Sequence, residues 1–107
     1  MKASPQPGEV WFVDFGYEAK HRRCLVVSVP DANVRLAIAS VVQITSQHGE
    51  TPYEVTLPRV PWLPEQSYVN AQSIQPVKWI EFERKAGRFE APVLAEVRAA
   101  LARWLGT

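Results

Sequence analysis

The segment HRRCLVVS, residues His21 to Ser28, decides the fold of this chain. Its apolar half, Cys24 to Val27, is an uninterrupted run that is typical of a strand buried on both faces. Arg22 stands at the entrance to that run, and a second apolar run, Val41 to Ile44, ends at the hydroxyl of Thr45. The two segments predict strand ends that hold an arginine and a hydroxyl, the groups needed to grip and polarise a phosphodiester.

The rest of the chain is patterned mostly as short strands separated by polar or proline-rich turns. Enrichment in β-branched and aromatic residues, or alternation of apolar and polar positions, marks each strand. No connection is long enough for a crossover, so consecutive strands must be antiparallel. We predict irregular structure over residues 58–66, which hold three prolines, and a turn at Gly87. The predicted strands are Glu9–Phe15, Arg22–Val29, Val34–Ser46, Tyr53–Leu57 and Gln72–Phe82, the last interrupted at Pro76.

The long strand over residues 34–46 has a parity that orients its side chains. Successive residues of a strand point to opposite faces. The larger apolar residues share one set of positions, which predicts that set as the core face. Thr45 belongs to the smaller and more polar set, and we expect it to point away from the core. The predicted core face consists of Val34, Leu36, Ile38, Val42 and Ile44.

Near the C-terminus the spacing of apolar residues changes from the alternation of a strand to the period of a helix. Leu94, Val97, Leu101 and Trp104 recur at helical spacing, which predicts an amphipathic helix from residue 92 to residue 105. Pro92 suits the first turn and Gly106 suits the C-terminal cap. Short strands followed by one helix predict a mainly β (α+β) fold, a small and strongly bent antiparallel barrel. We expect a single domain over residues 1–107, with residues 1–8 as a flexible lead-in.

Composition and net charge limit the functions that this chain can have. The net charge of +1 is too small for long-range attraction to nucleic acid, so such a contact must rely on local clusters. The best cluster spans Lys20 to Arg23, and a second one, Arg84, Lys85 and Arg88, fits either a contact surface or a solvated hairpin edge. The single cysteine, Cys24, is expected to be a small buried hydrophobe, which suits a reducing compartment. No apolar run reaches the roughly 20 residues of a membrane span, so we expect a cytoplasmic protein.

The residue types favour chemistry without a metal or cofactor. The two histidines have no metal-ligand spacing, and no glycine-rich phosphate loop is present. RNA can be cleaved by its own 2′-hydroxyl, so the protein must orient that group and stabilise charge on the phosphate. Arg22 and Thr45 suit the second task. His21 fits either a proton relay or an exposed loop residue, and Thr45 alone also fits an ordinary strand residue.

Six segments together resemble the MazF/PemK family of toxin ribonucleases over nearly the whole length of the chain. No single segment is specific, but their order and spacing are. The matching segments are PGEVWFVDF (7–15), HRRCLVVS (21–28), ITSQ (44–47), PYEVTL (52–57), SYVNAQSI (67–74) and the closing helix.

The resemblance implies an SH3-like barrel and a metal-independent endoribonuclease that cuts single-stranded RNA, such as mRNA, and leaves a cyclic phosphate. It also implies a homodimer with RNA bound across the interface, and a cognate antitoxin that blocks this groove with an extended tail. Arg22 matches the catalytic arginine of the family and Thr45 its catalytic hydroxyl. The candidate substrate-binding residues are Lys20, His21, Ser46, Gln47, Asn70 and Gln72.

Three departures from the family pattern bear on the activity. Arg23 stands where the family usually has proline, and Gln72 stands where many members have an acidic residue that could act as a base. The loop from Gly16 to Lys20 is shorter than in many relatives. This difference argues against an acidic residue of the loop, such as Glu18, assisting the reaction.

Two other functions fit the same barrel. One is a toxin of the CcdB type, which poisons DNA gyrase without cutting RNA. The other is an SH3-like interaction module whose groove is formed by aromatic side chains. The helix stripe and Trp62 exceed what a small barrel hides, which predicts a homodimer. The candidate groove residues are Trp11, Tyr53, Trp62 and Tyr68.

Overall fold

The computed structural model describes residues 4–16, 21–31 and 33–107. These ranges contain short strands and one closing α-helix, as the sequence predicts. Two short 3₁₀ turns, Ala71–Ser73 and Trp79–Glu81, separate the later strands. The strands are β1 (Glu9–Asp14), β2 (His21–Val26), β3 (Ile38–Thr45), β4 (Glu54–Thr56), β5 (Tyr68–Asn70), β6 (Gln75–Lys78) and β7 (Phe82–Arg88), and the helix is α1 (Ala91–Leu105).

The strands form one antiparallel sheet in the order β4-β5-β3-β2-β1-β7, and β6 pairs with the first half of β3. The second half of β3 pairs instead with β5, so β3 joins the two parts of the sheet. Among the described residues no ladder joins β4 to β7, so the barrel-like sheet is not closed. The predicted fold class, a bent antiparallel barrel with a C-terminal helix, is confirmed.

The core lies on both faces of the central strands. Leu25 and Val42 belong to a larger cluster that includes the buried face of α1. Cys24 and Val41, their chain neighbours, belong to a second cluster with Phe82. Because β2 and β3 are covered on both sides, alternation in β3 does not separate a core face from a solvent face.

The predicted core face of the long strand is therefore wrong in its first half. The strand begins at Ile38 rather than at Val34, and Leu36 is 65% exposed. Ala39, which the pattern puts on the more polar face, is buried, and so is Val41, which shares its parity. Val77 and Phe82 pack against this face in the second cluster and cover it.

The region from residue 67 to residue 88 differs most from the prediction. Strand β5 was not predicted, and Gln72–Phe82 is divided between two 3₁₀ turns and β6. Gly87 lies within β7, paired with Val10, and forms no turn. A Cβ atom at Gly87 would collide with the Trp62 indole, so the glycine lets this ring pack on the strand backbone.

The two ends of the chain are held against the sheet. Helix α1 begins one residue before the predicted start and ends at Gly106, whose φ of 76° is a left-handed cap. Residues 4–8, predicted as part of a flexible lead-in, are fastened to the sheet. The Gly8 amide donates to the Val26 carbonyl at 2.9 Å, and Pro5 is buried.

Candidate active site

The two predicted catalytic residues lie just beyond the ladder that joins β2 to β3. This ladder pairs Cys24 with Gln43 and Val26 with Val41. The same register, continued for two residues past the pair of Cys24 and Gln43, aligns Arg22 with Thr45. Because alternate positions share a face, both side chains project to the side that carries Cys24. The adjacent strand β1 supports Arg22 from its other edge through pairing with Val13.

The thiol of Cys24 is affected by the Arg22 charge. Burial raises the pKa of Cys24 to about 12, and the positive charge of Arg22 opposes part of that rise. The thiol is fully buried and protonated at neutral pH, in agreement with its predicted structural role. No carboxylate of the described residues forms an ion pair with Arg22. Its guanidinium is therefore not neutralised by that part of the chain.

Thr45 lies on the rim of an open depression of about 320 Å³. The Oγ1 atom of Thr45 accepts a hydrogen bond from the Gln47 backbone amide at 3.1 Å, which leaves the hydroxyl hydrogen available for donation. The depression is lined by Thr45, Gln47, His48, Gly49, Glu54 and Asn70. It therefore unites three of the predicted site residues, Thr45, Gln47 and Asn70, while Arg22 lies outside its lining.

A carboxylate organises the loop between β3 and β4. Glu54 accepts hydrogen bonds from the Gly49 amide at 2.5 Å and from the Thr51 amide and hydroxyl at 3.1 and 2.8 Å. These bonds, led by the Gly49 amide and then the Thr51 hydroxyl, lower the pKa of Glu54 below 4.5. The loop beside Thr45 is thus held by an ionised carboxylate at neutral pH.

His21 is directed elsewhere. Its Nδ1 atom lies 2.6 Å from Oε1 of Glu83 on β7, and its position in β2 puts it on the opposite face from Arg22. Ser46 follows the end of β3 and is exposed. Lys20, the remaining member of the predicted basic cluster, lies outside the described residues, as does Glu18. The structure therefore does not gather the predicted substrate-binding residues into one pocket.

Asn70 and Gln72 are connected to each other. The Oδ1 atom of Asn70 accepts from the Gln72 amide at 2.9 Å and caps the turn at Ala71–Ser73. This turn docks on β3, where the Ser73 hydroxyl accepts from the Gln43 amide at 3.0 Å. Gln72 is exposed beside the depression rather than in its lining.

The unusual Arg23 lies on the other face of β2. Its guanidinium carbon is 5.0 Å from the centre of the Phe12 ring, and that of Arg84 is 3.9 Å from the same centre. The Nε atom of Arg23 is buried without a hydrogen-bond partner. The second predicted basic cluster is divided, because Lys85 donates to Glu9 at 3.2 Å. Burial raises the pKa of Glu9, but hydrogen bonds from Gln6, Trp11 and Lys85 outweigh this effect and lower it.

Sequence reasoning missed three residues of the depression, His48, Gly49 and Glu54, of which His48 is the one with an aromatic ring. The His48 ring stacks on Tyr68 of β5, with centroids 4.4 Å apart and planes at 2°. Its only sequence signal is its place in the loop that follows Thr45. The aromatic residues proposed for a peptide groove pack separately instead. Tyr53 contacts Trp104, Trp62 contacts Phe89, and Trp11 contacts Phe82.

The described residues can also be compared with the requirements of a metal site and of a membrane-spanning helix. Within residues 4–16, 21–31 and 33–107, no group of three or more His, Cys, Asp or Glu side chains is arranged to hold a metal ion. No helix in these ranges is both long and apolar enough to cross a membrane.

Comparisons with known proteins agree with this fold. The family model described as PemK-like, MazF-like toxin of type II toxin-antitoxin system matches residues 6–105. A mycobacterial endoribonuclease solved with its cognate antitoxin is 27% identical, with a TM-score of 0.82 and 95% coverage of both chains. MazF from Deinococcus radiodurans is 28% identical, with a TM-score of 0.81 and coverage of 99% of this chain and 100% of that chain. No curated protein sequence is significantly similar.

The fold and the polar strand end define a small toxin-type barrel. The chain belongs to the PemK-like, MazF-like toxins of type II toxin-antitoxin systems, because the family model spans nearly its full length. The family predicted from the six segments is thus confirmed.

Proposed function

We propose that this toxin is a metal-independent endoribonuclease that cuts single-stranded RNA at selected sequences. The single observation that supports the proposal is the β2–β3 register, which would set Arg22 across from Thr45 if continued two residues beyond the pair of Cys24 and Gln43. Solved structures at 25 to 27% identity that are named endoribonucleases support the same activity. We propose that residues 1–107 act as one unit, and that they act in the cytoplasm, where mRNA is found.

The two side chains would share one phosphate group. The guanidinium of Arg22 can donate two hydrogen bonds to the non-bridging oxygens, and the Thr45 hydroxyl can donate a third. The 2′-oxygen of the RNA attacks phosphorus after giving up its proton, and the 5′-oxygen leaves and takes up a proton. The products are a 2′,3′-cyclic phosphate and a free 5′-hydroxyl. Both protein groups stabilise the charge that builds up on the phosphate.

The proposed partners are a cognate antitoxin and a second copy of the chain. The mycobacterial endoribonuclease was solved with its antitoxin, which supports the first partner. Part of the helix stripe supports a dimer, because Trp104 and Leu105 are exposed, whereas Val97 and Leu101 are buried within the chain and Trp62 is partly buried. Exposed apolar side chains near the start of β3 form a second such surface, on which we place the proposed interface. These are Val29, Val34, Leu36 and Ile38.

The test is to incubate the purified protein with a long single-stranded RNA in EDTA and to map the cut ends. We expect cuts at a short recurring sequence, with cyclic phosphate at each upstream end. Intact RNA together with inhibition of DNA gyrase supercoiling would overturn the proposal in favour of a gyrase poison on the same barrel.

A further inference from the structure

The depression beside Thr45 has rigid walls. The loop between β3 and β4 is held by the three hydrogen bonds that the Glu54 carboxylate accepts from Gly49 and Thr51. Its first turn is closed by the bond from the Gln47 amide to Thr45. A loop held at both ends by hydrogen bonds presents the intervening side chain, His48, in a defined place.

His48 and Tyr68 form a flat platform on one wall. Their rings are parallel and 4.4 Å apart, and Tyr68 belongs to β5, where it pairs with Thr45 on one side and Thr56 on the other. One face of the imidazole is covered by the tyrosine, yet His48 as a whole is exposed. The other face is therefore turned toward solvent, where a flat ring can stack on it.

The lining of the depression also carries amide groups. Asn70 and Gln47 both line the depression, and an amide side chain can donate and accept hydrogen bonds at the edge of a nucleobase. The Gln72 contacts hold the Asn70 amide in place, through an accepted bond of 2.9 Å and a donated bond of 3.4 Å. A base stacked on His48 would lie in the same depression as these groups, which can bond its polar edge.

The charge in the depression selects the type of ligand. Hydrogen bonds from Gly49 and Thr51 lower the pKa of Glu54, so its carboxylate is ionised at neutral pH. A negative charge in the wall disfavours a phosphate or an acidic peptide side chain inside the depression. A neutral aromatic base does not meet this repulsion, and the volume of about 320 Å³ leaves room for a single ring system.

We infer that this depression is a specificity pocket that holds one unpaired nucleobase of the RNA, stacked on His48 and read at its edge by Asn70 and Gln47. The inference rests on the proposed function. Thr45 on the rim would then contact the phosphate of a nucleotide adjoining the bound base. The pocket determines which base stands at one position of the cleavage sequence, and His48 acts as a stacking residue rather than a proton donor.

The experiment compares His48→Ala with His48→Phe. Both variants lack the imidazole, but only phenylalanine keeps a ring on Tyr68. Cleavage of a randomised RNA pool, read by sequencing of the cut ends, gives the base preference, and kcat and KM are measured on the preferred sequence. We expect His48→Ala to raise KM and to lower kcat/KM by about 5- to 100-fold, the range for loss of one base stack. His48→Phe should stay within about threefold of wild type on that same stacking argument.

Asn70→Ala tests the edge contacts. We expect it to relax the preference at one position of the cleavage sequence and to leave the other positions unchanged. Trp104→Ala is the matched control, because Trp104 is an exposed aromatic residue whose ring packs on another tyrosine, Tyr53, and neither residue lines the depression. It should leave both kcat/KM and base preference unchanged. Melting temperatures of all variants show that the fold is intact.

Three results would contradict different parts of the proposal: the pocket, the stacking role of His48, or the ribonuclease activity itself. Wild-type kcat/KM and base preference in His48→Ala would overturn the pocket while leaving the ribonuclease in place. Equal loss of kcat in His48→Ala and His48→Phe, with a pH–rate profile that loses one ionisation, would overturn the stacking role in favour of proton transfer. Wild-type protein that leaves every RNA intact would overturn the proposed function and the pocket together.

Discussion

The two ends of strand β3 have opposite chemistry. Near its start, Leu36 and Ile38 are exposed apolar residues beside Val29 and Val34. At its other end, Thr45 is surrounded by amides, a carboxylate and a stacked histidine. A single rigid strand thus presents a surface suited to burial by another protein and a surface suited to hydrogen bonding. With the proposed dimer and the proposed site, assembly and chemistry would occupy separate ends of the same element.

The largest expected effect is at the polar end. Arg22→Ala and Thr45→Ala should each lower the cleavage rate by about 10²- to 10³-fold, because each removes one donor to the charged phosphate. Single-turnover cleavage of the preferred RNA measures the loss. Arg35→Ala, at an exposed arginine near the apolar end, is the matched control and should cleave at the wild-type rate. Equal activity in all three variants would remove the chemical distinction between the two ends.

The next effect concerns the apolar end. Leu36→Lys should convert a dimer into a monomer, since a charge in a buried apolar interface is costly. Light scattering at micromolar concentration gives the mass. Leu105→Lys tests the competing surface at the end of α1, where Leu105 is 58% exposed. Dissociation by Leu105→Lys but not by Leu36→Lys would move the interface to the helix, and a monomeric wild type would rule out both.

A smaller effect is expected in the shared core. Gly87→Ala should destabilise the protein by about 1–3 kcal/mol, because the added methyl group meets the Trp62 indole. Chemical denaturation measures the change in the free energy of unfolding. The same substitution in a Trp62→Ala background should cost clearly less, since the opposing ring is gone. Equal costs in the two backgrounds would show that the packing of Trp62 on β7 is not the reason for the glycine.

The smallest effect is a pH dependence of the loop beside Thr45. The pKa of Glu54 is held below 4.5 by hydrogen bonds from Gly49 and Thr51, so the carboxylate stabilises the loop above its unfolded pKa. This contribution is lost as the pH falls through the lowered folded value. Protection of the Gly49 amide, taken from its exchange rate relative to the intrinsic rate at the same pH, should therefore decrease in acid in the wild type. In Glu54→Gln the exchange should show no such additional acid-dependent step.

The sequence predicted those elements of the fold that depend on the spacing of neighbouring residues. Helix α1 has a clear period and a glycine cap, and it was predicted to within one residue. Arg22 and Thr45 were proposed because each lies at the end of an apolar run and matches a family segment, and their catalytic roles stay predictions. Alternation failed in β3, because the order of the sheet covers both of its faces and only the fold reveals this.

Two other features depended on contacts between distant residues. Gly87 suggested a turn, and its true role is visible only with Trp62 packed upon it. His48 belongs to an ordinary polar loop in the sequence, and Tyr68 follows it by twenty positions. Their stacking depends on the pairing of β3 with β5, a strand that the sequence did not predict.

The most direct test is a crystal structure of the protein with an RNA that carries a 2′-deoxy nucleotide at the mapped cut site and so cannot be cleaved. We expect the phosphate at that site to lie within hydrogen-bond distance of both the Arg22 guanidinium and the Thr45 hydroxyl. Contacts of these two side chains with different phosphates, or a scissile phosphate bound away from this strand end, would contradict this expectation.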